Sequence, residues 1–230
     1  MQLGQDVKAR FASLIDNVLR ADASLVSKSA NGRFLDGNQK GLEASVLGIN
    51  YKAVTADGDV EVHVEDPLNR EEDSSRLFVY LLNAIERVSE GKSANNKGSL
   101  TSLTQLQGGQ TAKLYEKRIV TFLAAEMDEA TLEEVEVAAK KIGGSMVVHS
   151  NATWSFEVTP FNSVRIRAAY WQGEEGIPSG ATLLVGEEIK DAGVPIEELL
   201  TIMEMTINRF VLFYRKETDK KPKLFHSLYF

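Results

Sequence analysis

Three short runs of apolar, β-branched and aromatic residues lie close together in residues 154–185, WSFEVTPFNSVRIRAAYWQGEEGIPSGATLLV. We predict strands at residues 154–158, 164–171 and 181–185, because Gly, Pro, Asn and Ser between such runs are typical of turns. Residues 146–149 predict a further strand just before them. Consecutive strands with short connections are usually antiparallel neighbours, so this part of the chain predicts a meander.

A second strand signal lies nearer the N-terminus, where apolar and polar residues alternate on either side of an Asp-Gly pair. Residues 47–53 and 60–64 show this alternation, and Asp57-Gly58 lies between them. Asp-Gly readily adopts the positive φ angles of a tight turn, so we predict a β-hairpin. The preceding residues, which include Asn31-Gly32 and Asp36-Gly37-Asn38, predict a polar connection rich in turns.

Helices are predicted wherever apolar residues recur at helical spacing. They cover residues 3–21, the stretch from a cap at 73–75 to Gly91, the run from Gly109 to Leu123, the run from a cap at Asp128 to Ile142, and the run from Pro195 to Tyr214. The order favours an α+β fold with a mainly antiparallel sheet, a hairpin plus a meander, packed against several helices. We predict one α+β domain over residues 1–230, with the C-terminal tail, residues 217–230, as a candidate for a separate segment.

Composition excludes several classes of function. The 230 residues carry a formal net charge of −7, which argues against broad binding to nucleic acid or to an anionic membrane. The chain has no Cys, so disulfides, thiol catalysis, Fe–S clusters and Cys-ligated zinc are excluded within it. The sequence shows neither a leader pattern nor an apolar stretch of about 18 residues, and we therefore expect a cytoplasmic protein.

Motifs for catalysis are missing as well. The sequence contains no phosphate-binding glycine motif, no zinc-protease motif and no serine-nucleophile motif of the common kinds. Glu129, Glu133 and Glu134 precede Lys140 and Lys141 in the order that complements a helix dipole, so we interpret them as a solvated helix face. We predict no catalytic residue and no metal site, and we favour a protein that is not an enzyme.

The first candidates for ligand binding lie on the predicted strand 164–171. Arg165, Arg167 and Trp171 share one face of it, because side chains alternate along a strand. Two interpretations remain open. In one, Ser155 and Glu157 of the preceding strand oppose the arginines in a salt-bridged outer face. In the other, the arginines bind an anion and Trp171 provides a stacking platform.

The remaining candidates are Glu174, Glu175 and His149. Both glutamates lie in residues 173–180, where three Gly and one Pro between apolar strands predict an ordered turn. They would act as an acid or base, or hold a hard cation, whereas a purely structural turn is the commoner arrangement. His149 ends a predicted strand, and strand ends are common places for sites.

Residues 171–184 resemble the DUF3786 family, which comprises uncharacterised proteins of anaerobic bacteria and archaea. The resemblance rests on the pattern aromatic-x-Gly-acidic-Glu-x-x-Pro-x-x-Ala-x-x-Leu, which begins at Trp171 and ends at Leu184. Residues 48–51, Asp57-Gly58, the leucines at 81–82 and the helix end at 139–144 follow the same layout, so the resemblance covers residues 35–212. Ile177 departs from the Phe that family members often have there.

The resemblance implies a corrinoid or other tetrapyrrole context, because some members carry a Cys-rich Fe–S domain of the kind found with corrinoid proteins. This chain has no Cys and lacks that module. A His together with Met203 or Met205 would supply axial ligands to a tetrapyrrole metal, although Met203 also fits the apolar stripe of the last helix. The resemblance implies no catalytic residue.

Two functions are therefore predicted. The first is a non-catalytic small-ligand or cofactor-binding protein that uses the candidates above. The alternative is a protein-interaction or scaffold module, because the basic residues 216–223 precede an apolar run at residues 224–230. An exposed apolar run of this kind is stable when it docks on its own domain, on a protein partner or on a second copy of the chain.

Overall fold

A computed structural model describes residues 4–56, 59–92 and 98–224 of the chain. The chain divides into two compact units. The first unit comprises Met1–Asn95, Pro160–Ser163 and Asp191–Gly193, and the second comprises Asn96–Thr159, Val164–Lys190 and Val194–Phe230. The prediction of a single domain over residues 1–230 stays a prediction.

The first unit combines helices with a four-stranded antiparallel sheet of order β1-β2-β3-β4. Its helices are α1 (Gln5–Leu14), which continues into a π-helical turn at Ile15–Leu19, α2 (Leu25–Ser29) and α3 (Glu71–Ser89). Its strands are β1 (Asn31–Leu35), β2 (Lys40–Val46), β3 (Ile49–Ala56) and β4 (Asp59–Glu65). The predicted hairpin is confirmed, since β3 pairs with β4 from Asn50 opposite Glu65 to Ala56 opposite Asp59. The predicted turn residues Asp57-Gly58 lie outside the described residues.

Strands β1 and β2 correct the prediction of a turn-rich connection before the hairpin. Asn31-Gly32 begins a strand, and only the predicted turn around Asp36-Gly37-Asn38 separates β1 from β2. A Cβ atom on Gly32 would lie 2.4 Å from the carbonyl oxygen of Glu43 on the neighbouring strand. This glycine therefore permits a close approach within the sheet, whereas the sequence suggested a turn.

One face of this sheet is apolar and packs on the helices. The ring of Tyr51 lies 5.6 Å from the ring of Phe78 on α3, and Phe11 of α1 lies 6.0 Å from the same ring. The Tyr51 hydroxyl donates a hydrogen bond to the carbonyl oxygen of Ser74 at 2.8 Å. The buried phenol is therefore both packed and hydrogen-bonded, which fixes β3 against the start of α3.

The second unit contains a five-stranded sheet of order β5-β9-β8-β7-β6. Its strands are β5 (Leu100–Thr101), β6 (Ser145–Met146), β7 (Trp154–Phe161), β8 (Val164–Trp171) and β9 (Gly180–Gly186). Its helices are α4 (Lys113–Glu126), α5 (Leu132–Lys141) and α7 (Ile196–Thr218), with the short α6 (Ile189–Ala192) before the last. The predicted meander and α+β fold are confirmed. The strand predicted at residues 146–149 corresponds to β6, which ends at Met146.

The apolar face of the second sheet packs on α7. The ring of Trp154 stacks on Tyr170 at 4.9 Å, and Phe156 lies 4.5 Å from Phe210 of α7. The apolar stripe predicted for this helix is buried, as are Met203 and Met205, which are both 0% exposed. This aromatic cluster forms the centre of the unit's core.

The predicted caps of two helices are wrong by a few residues. Asp73 lies inside the first turn of α3, and the carboxylate of Asp66 accepts hydrogen bonds from backbone N–H groups just before it. Helix α5 is capped by Thr131, whose hydroxyl accepts from the N–H of Glu134 while the Glu134 carboxylate accepts from the N–H of Thr131. This capping box leaves Asp128 free for the role described below.

The aromatic core predicts a large effect of truncating Phe210. We expect Phe210→Ala to lower the free energy of unfolding by about 3–5 kcal/mol, because the ring is fully buried and leaves a cavity. Urea unfolding followed by circular dichroism measures this loss. Val148→Ala is the control, since this side chain is 94% exposed, and equal stability losses in the two variants would contradict the packing described here.

Candidate functional site

Arg165 on β8 is engaged by groups of its own unit. Its guanidinium donates to the Glu188 carboxylate, with Nε to Oε1 at 2.8 Å and Nη2 to Oε2 at 3.2 Å. It also donates to Glu157 at 3.3 Å and to the carbonyl oxygen of Ser99 at 2.9 Å. The hydrogen bonds that Arg165 donates to Glu188 raise the pKa of Arg165 above its ordinary value, against the opposing effect of burial. Arg165 is therefore a buried, fixed cation.

Glycine 186 makes room for this ion pair. A Cβ atom on Gly186 would lie 1.9 Å from a carboxylate oxygen of Glu188, which is closer than any real contact of that kind. The Glu188 carboxylate occupies the space in which a side chain at this end of β9 would lie, so only glycine fits there. Glu188 itself is 1% exposed.

Arg167 forms the cross-strand ion pair that the salt-bridged interpretation predicts. Its Nε and Nη2 atoms donate to Glu157 Oε2 at 3.1 and 2.8 Å. Ser155 takes no part in this pairing, since its hydroxyl donates to the carbonyl oxygen of Val147. Binding of an anion by Arg165 and Arg167 stays a prediction, and it would have to compete with Glu157 and Glu188.

Trp171 and His149 are brought together. Their ring centroids lie 5.8 Å apart in an edge-to-face arrangement at 77°. His149 lies in the irregular segment that follows β6, and Trp171 ends β8. The structure thus places two of the predicted ligand-binding residues side by side at the C-terminal end of β8.

Glu174 and Glu175 lie apart from this pair of rings, at an exposed turn. The backbone N–H groups of Glu174 and Ile177 each donate to the other residue's carbonyl oxygen, at 3.0 and 2.9 Å. Both glutamate side chains are exposed, and neither carboxylate bonds to another residue in the described parts of the chain. The backbone of the turn is ordered, while its acidic side chains are exposed to solvent.

A hydrogen-bond network that the sequence did not reveal holds this turn in place. The Ser179 hydroxyl donates to Asp128 Oδ1 at 2.8 Å and accepts from the N–H of Gly173 at 2.9 Å. The buried Tyr170 hydroxyl lies 3.1 Å from Ser179 Oγ and 3.4 Å from Asp128 Oδ1. Asp128 is 51 residues from Ser179, so no local motif links them.

The polar face of the first sheet holds a second group of side chains that the sequence did not bring together. Cross-strand pairing aligns residues of all four strands in two rows on this face. The first row is Arg33, Glu43, Lys52 and His63, and the second row is Asn31, Ser45, Asn50 and Glu65. We call these the charged row and the amide row.

A cavity of about 550 Å³ lies over the two rows, and all eight of their side chains line it. In the charged row, Arg33 donates to Glu43 at 2.8 Å and Lys52 lies 3.8 Å from the same carboxylate. In the amide row, the side chains of Asn31, Ser45, Asn50 and Glu65 make no hydrogen bond with another described residue. The cavity therefore offers free donors and acceptors beside a compensated group of charges.

The signal for these rows is present in the sequence as pairs of polar residues two positions apart. Asn31 and Arg33, Glu43 and Ser45, Asn50 and Lys52, and His63 and Glu65 each form such a pair. The pattern identifies one solvated strand face. It does not give the register, because that depends on β1 and β2, which lie where the sequence predicts a turn-rich connection.

The described residues give no support to a tetrapyrrole or metal centre. Met203 and Met205 are enclosed in the core, and the cavity over the first sheet is lined by polar side chains. In the described ranges, no group of three His, Cys, Asp or Glu side chains is arranged to hold a metal ion. Nor does any helix of residues 4–56, 59–92 or 98–224 have the length and apolar character needed to span a bilayer.

Over residues 22–209 the chain matches the family described as Domain of unknown function (DUF3786). The chain belongs to this family. The DUF3786 match includes all four strands of the first sheet and the segment that begins at Trp171, and so the resemblance found in the sequence is confirmed. No curated protein and no solved structure matches the chain.

The buried ion pair predicts a strong dependence of stability on Glu188. We expect Glu188→Gln to lower the free energy of unfolding by about 3 kcal/mol, because it leaves the buried guanidinium of Arg165 without its main counter-charge. The control is Glu187→Gln, which removes a half-exposed carboxylate from its ion pair with Lys190 and should cost less than about 1 kcal/mol. Chemical denaturation of both variants measures the two losses of unfolding free energy. Equal losses would contradict the proposed contribution of the Arg165–Glu188 ion pair to stability.

The buried phenol of Tyr170 predicts a loss of stability at high pH. Burial raises the pKa of Tyr170 in the folded protein above its unfolded value of about 10. The folded state therefore binds this proton more tightly, and the resulting stability is complete below pH 10 and is lost as the pH rises above it. We expect a shallower fall of unfolding free energy between about pH 9 and 11 in Tyr170→Phe than in the wild type. Parallel curves for the two proteins would contradict the pKa direction.

Proposed function

We propose that the protein is a non-catalytic binding protein for a small polar ligand, which lies in the cavity over the charged row and the amide row. The observation that carries this proposal is the cavity of about 550 Å³ on a sheet face whose amide row has free hydrogen-bonding groups. This volume lies within the range of about 300–1,000 Å³ that is typical of small-molecule sites.

The rigidity of the sheet supports binding at this place. All eight residues stand on paired strands, so the backbone ladder fixes the spacing of their Cα atoms and only side-chain rotamers have to be ordered when a ligand arrives. Beneath the cavity, Tyr51 is anchored by its ring contact with Phe78 and by its hydrogen bond to Ser74. A preorganised surface of this kind favours affinity.

The chemistry of the lining favours binding over catalysis. Ser45 supplies a hydroxyl, yet no base among the described residues is hydrogen-bonded to it, and a serine nucleophile needs such a base. The Glu43 carboxylate is held by Arg33 and lies near Lys52. The lining therefore presents a recognition surface without an activated nucleophile.

The lining also bears on the ligand class. A flat apolar macrocycle is bound by apolar and aromatic side chains, whereas this face offers amides, a hydroxyl and charged groups. We therefore propose a polar ligand for this cavity. A corrinoid context for the family stays a prediction, and so do a cytoplasmic location and ligand contacts at Trp171 and His149.

The alternative function, a scaffold module built on the C-terminal tail, also stays a prediction, since residues 225–230 lie outside the described residues. The start of the tail is attached to its own unit. Lys220 pairs with Glu134 at 2.8 Å, and the N–H of Leu224 donates to Glu126 at 2.7 Å. These contacts support a tail that packs on the second unit at least as far as Leu224.

Retention of a ligand by the purified full-length protein tests the proposed function. The protein is incubated with a filtered extract of small molecules from its native host, desalted, denatured and analysed by mass spectrometry. Asn50→Trp fills the cavity, while Glu133→Trp places the same ring at an exposed position of α5, outside the cavity lining. We expect a compound that the wild type and Glu133→Trp retain and Asn50→Trp loses.

Two results would overturn the proposal. One is that the wild type retains no compound above a blank. The other is that all three folded proteins retain the same compounds equally, which would place binding elsewhere. Circular dichroism establishes that Asn50→Trp is folded.

A further inference from the structure

We infer that the ligand of this cavity is a zwitterionic short peptide of two or three residues with free ends. The inference rests on the proposed function and adds the class of ligand. Its basis is the placement of a cation, an amide and an anion at three neighbouring positions: Lys52, Asn50 and Glu65.

The spacing of these three residues follows from the strand pairing. Lys52 and Asn50 are two residues apart on β3, which is about 7 Å along an antiparallel strand. Glu65 is directly opposite Asn50 on β4, so their Cα atoms are about 5 Å apart. An extended peptide of two or three residues spans roughly 7–10 Å, which suits the separation of Lys52 from Glu65.

The charged ends of such a peptide meet oppositely charged side chains that can still form hydrogen bonds. The Lys52 ammonium is half exposed and lies 3.8 Å from Glu43, beyond hydrogen-bond distance, so it can donate to a peptide carboxylate. Glu65 is exposed and bonds to no other described side chain, so it can accept from a peptide ammonium. Hydrogen bonds between charged groups of this kind are the strong ones.

The middle of the peptide matches the amide row. The side-chain amide of Asn50 presents donors and an acceptor, and the hydroxyl of Ser45, directly opposite it on β2, presents both. A peptide bond has one N–H donor and one carbonyl acceptor, so it can bond to the Asn50 amide. Amino acids without a peptide bond lack this central contact.

The charges of the face disfavour ligands of a single sign. A simple anion that binds Lys52 meets the carboxylates of Glu43 and Glu65 nearby, and a simple cation that binds Glu65 meets the ammonium of Lys52. A zwitterion places each of its charges beside the opposite one. The same arrangement therefore provides selectivity as well as attraction.

Isothermal titration of the full-length protein with alanylalanine tests this inference. The panel consists of the free dipeptide, its N-acetyl form, its C-terminal amide and the form blocked at both ends. We expect the free dipeptide to bind and each single block to weaken binding about tenfold or more, because each removes one charge-assisted hydrogen bond. The doubly blocked form should not bind measurably.

Three variants identify which side chain binds each end of the dipeptide. In Glu65→Gln, acetylation of the amino end should cost little further affinity, and in Lys52→Gln, amidation of the carboxyl end should cost little. Glu133→Gln is the matched control, since this glutamate is an exposed residue of α5 outside the cavity lining, and it should bind like the wild type. Equal binding of all four dipeptide forms to the wild type would overturn the inference, as would equal losses in Glu133→Gln and Glu65→Gln.

Failure of the ligand class is distinguishable from failure of the proposed function. If alanylalanine does not bind but the host extract yields a compound whose retention is lost in Asn50→Trp, the zwitterionic peptide is overturned and the binding function stands. If the extract also yields nothing, the binding function itself is overturned.

Discussion

The side chains of a β-strand point alternately to its two faces. Each sheet of this protein therefore has one face in an apolar core and an opposite face that carries its polar side chains. In the first unit, Tyr51 and its apolar neighbours occupy one face and pack on α1 and α3. In the second unit, Trp154, Phe156 and Tyr170 occupy the corresponding face and pack on α7. The polar groups of the opposite faces then decide which surface is available to a ligand.

The two polar faces differ in how their charges are satisfied. In the second sheet, Arg165 and Arg167 are bonded to Glu157 and Glu188, and Arg165 is nearly inaccessible to solvent. A charge buried in this way is stable only because its counter-charges are fixed, so these groups serve the fold. In the first sheet, the amide row keeps its hydrogen-bonding groups free beneath a cavity. This contrast is why we place the binding function on the first sheet.

Strand alternation made part of this arrangement predictable. The common face of Arg165, Arg167 and Trp171 follows from a period of two, and the opposition of Glu157 is one of the two arrangements that this period predicts. The partnership of Arg165 with Glu188 did not follow, because Glu188 lies beyond the end of β9 and reads as one of two adjacent solvated glutamates. The link between Asp128 and Ser179 was missed because these residues are distant in the chain and Asp128 resembled a helix cap. The charged and amide rows were missed because Asn31-Gly32 has the composition of a turn, although Gly32 serves close packing inside a strand.

The α+β class, the hairpin, the meander, the long final helix and membership of the DUF3786 family all follow from the amino-acid sequence alone. These features depend on local periodicity, turn chemistry and a short motif, all of which act between residues close together in the chain. The three-dimensional structure was needed to show which charges form ion pairs and which polar groups remain free. Register between strands and contacts across 23 to 66 residues fix these partners, and local sequence patterns specify neither.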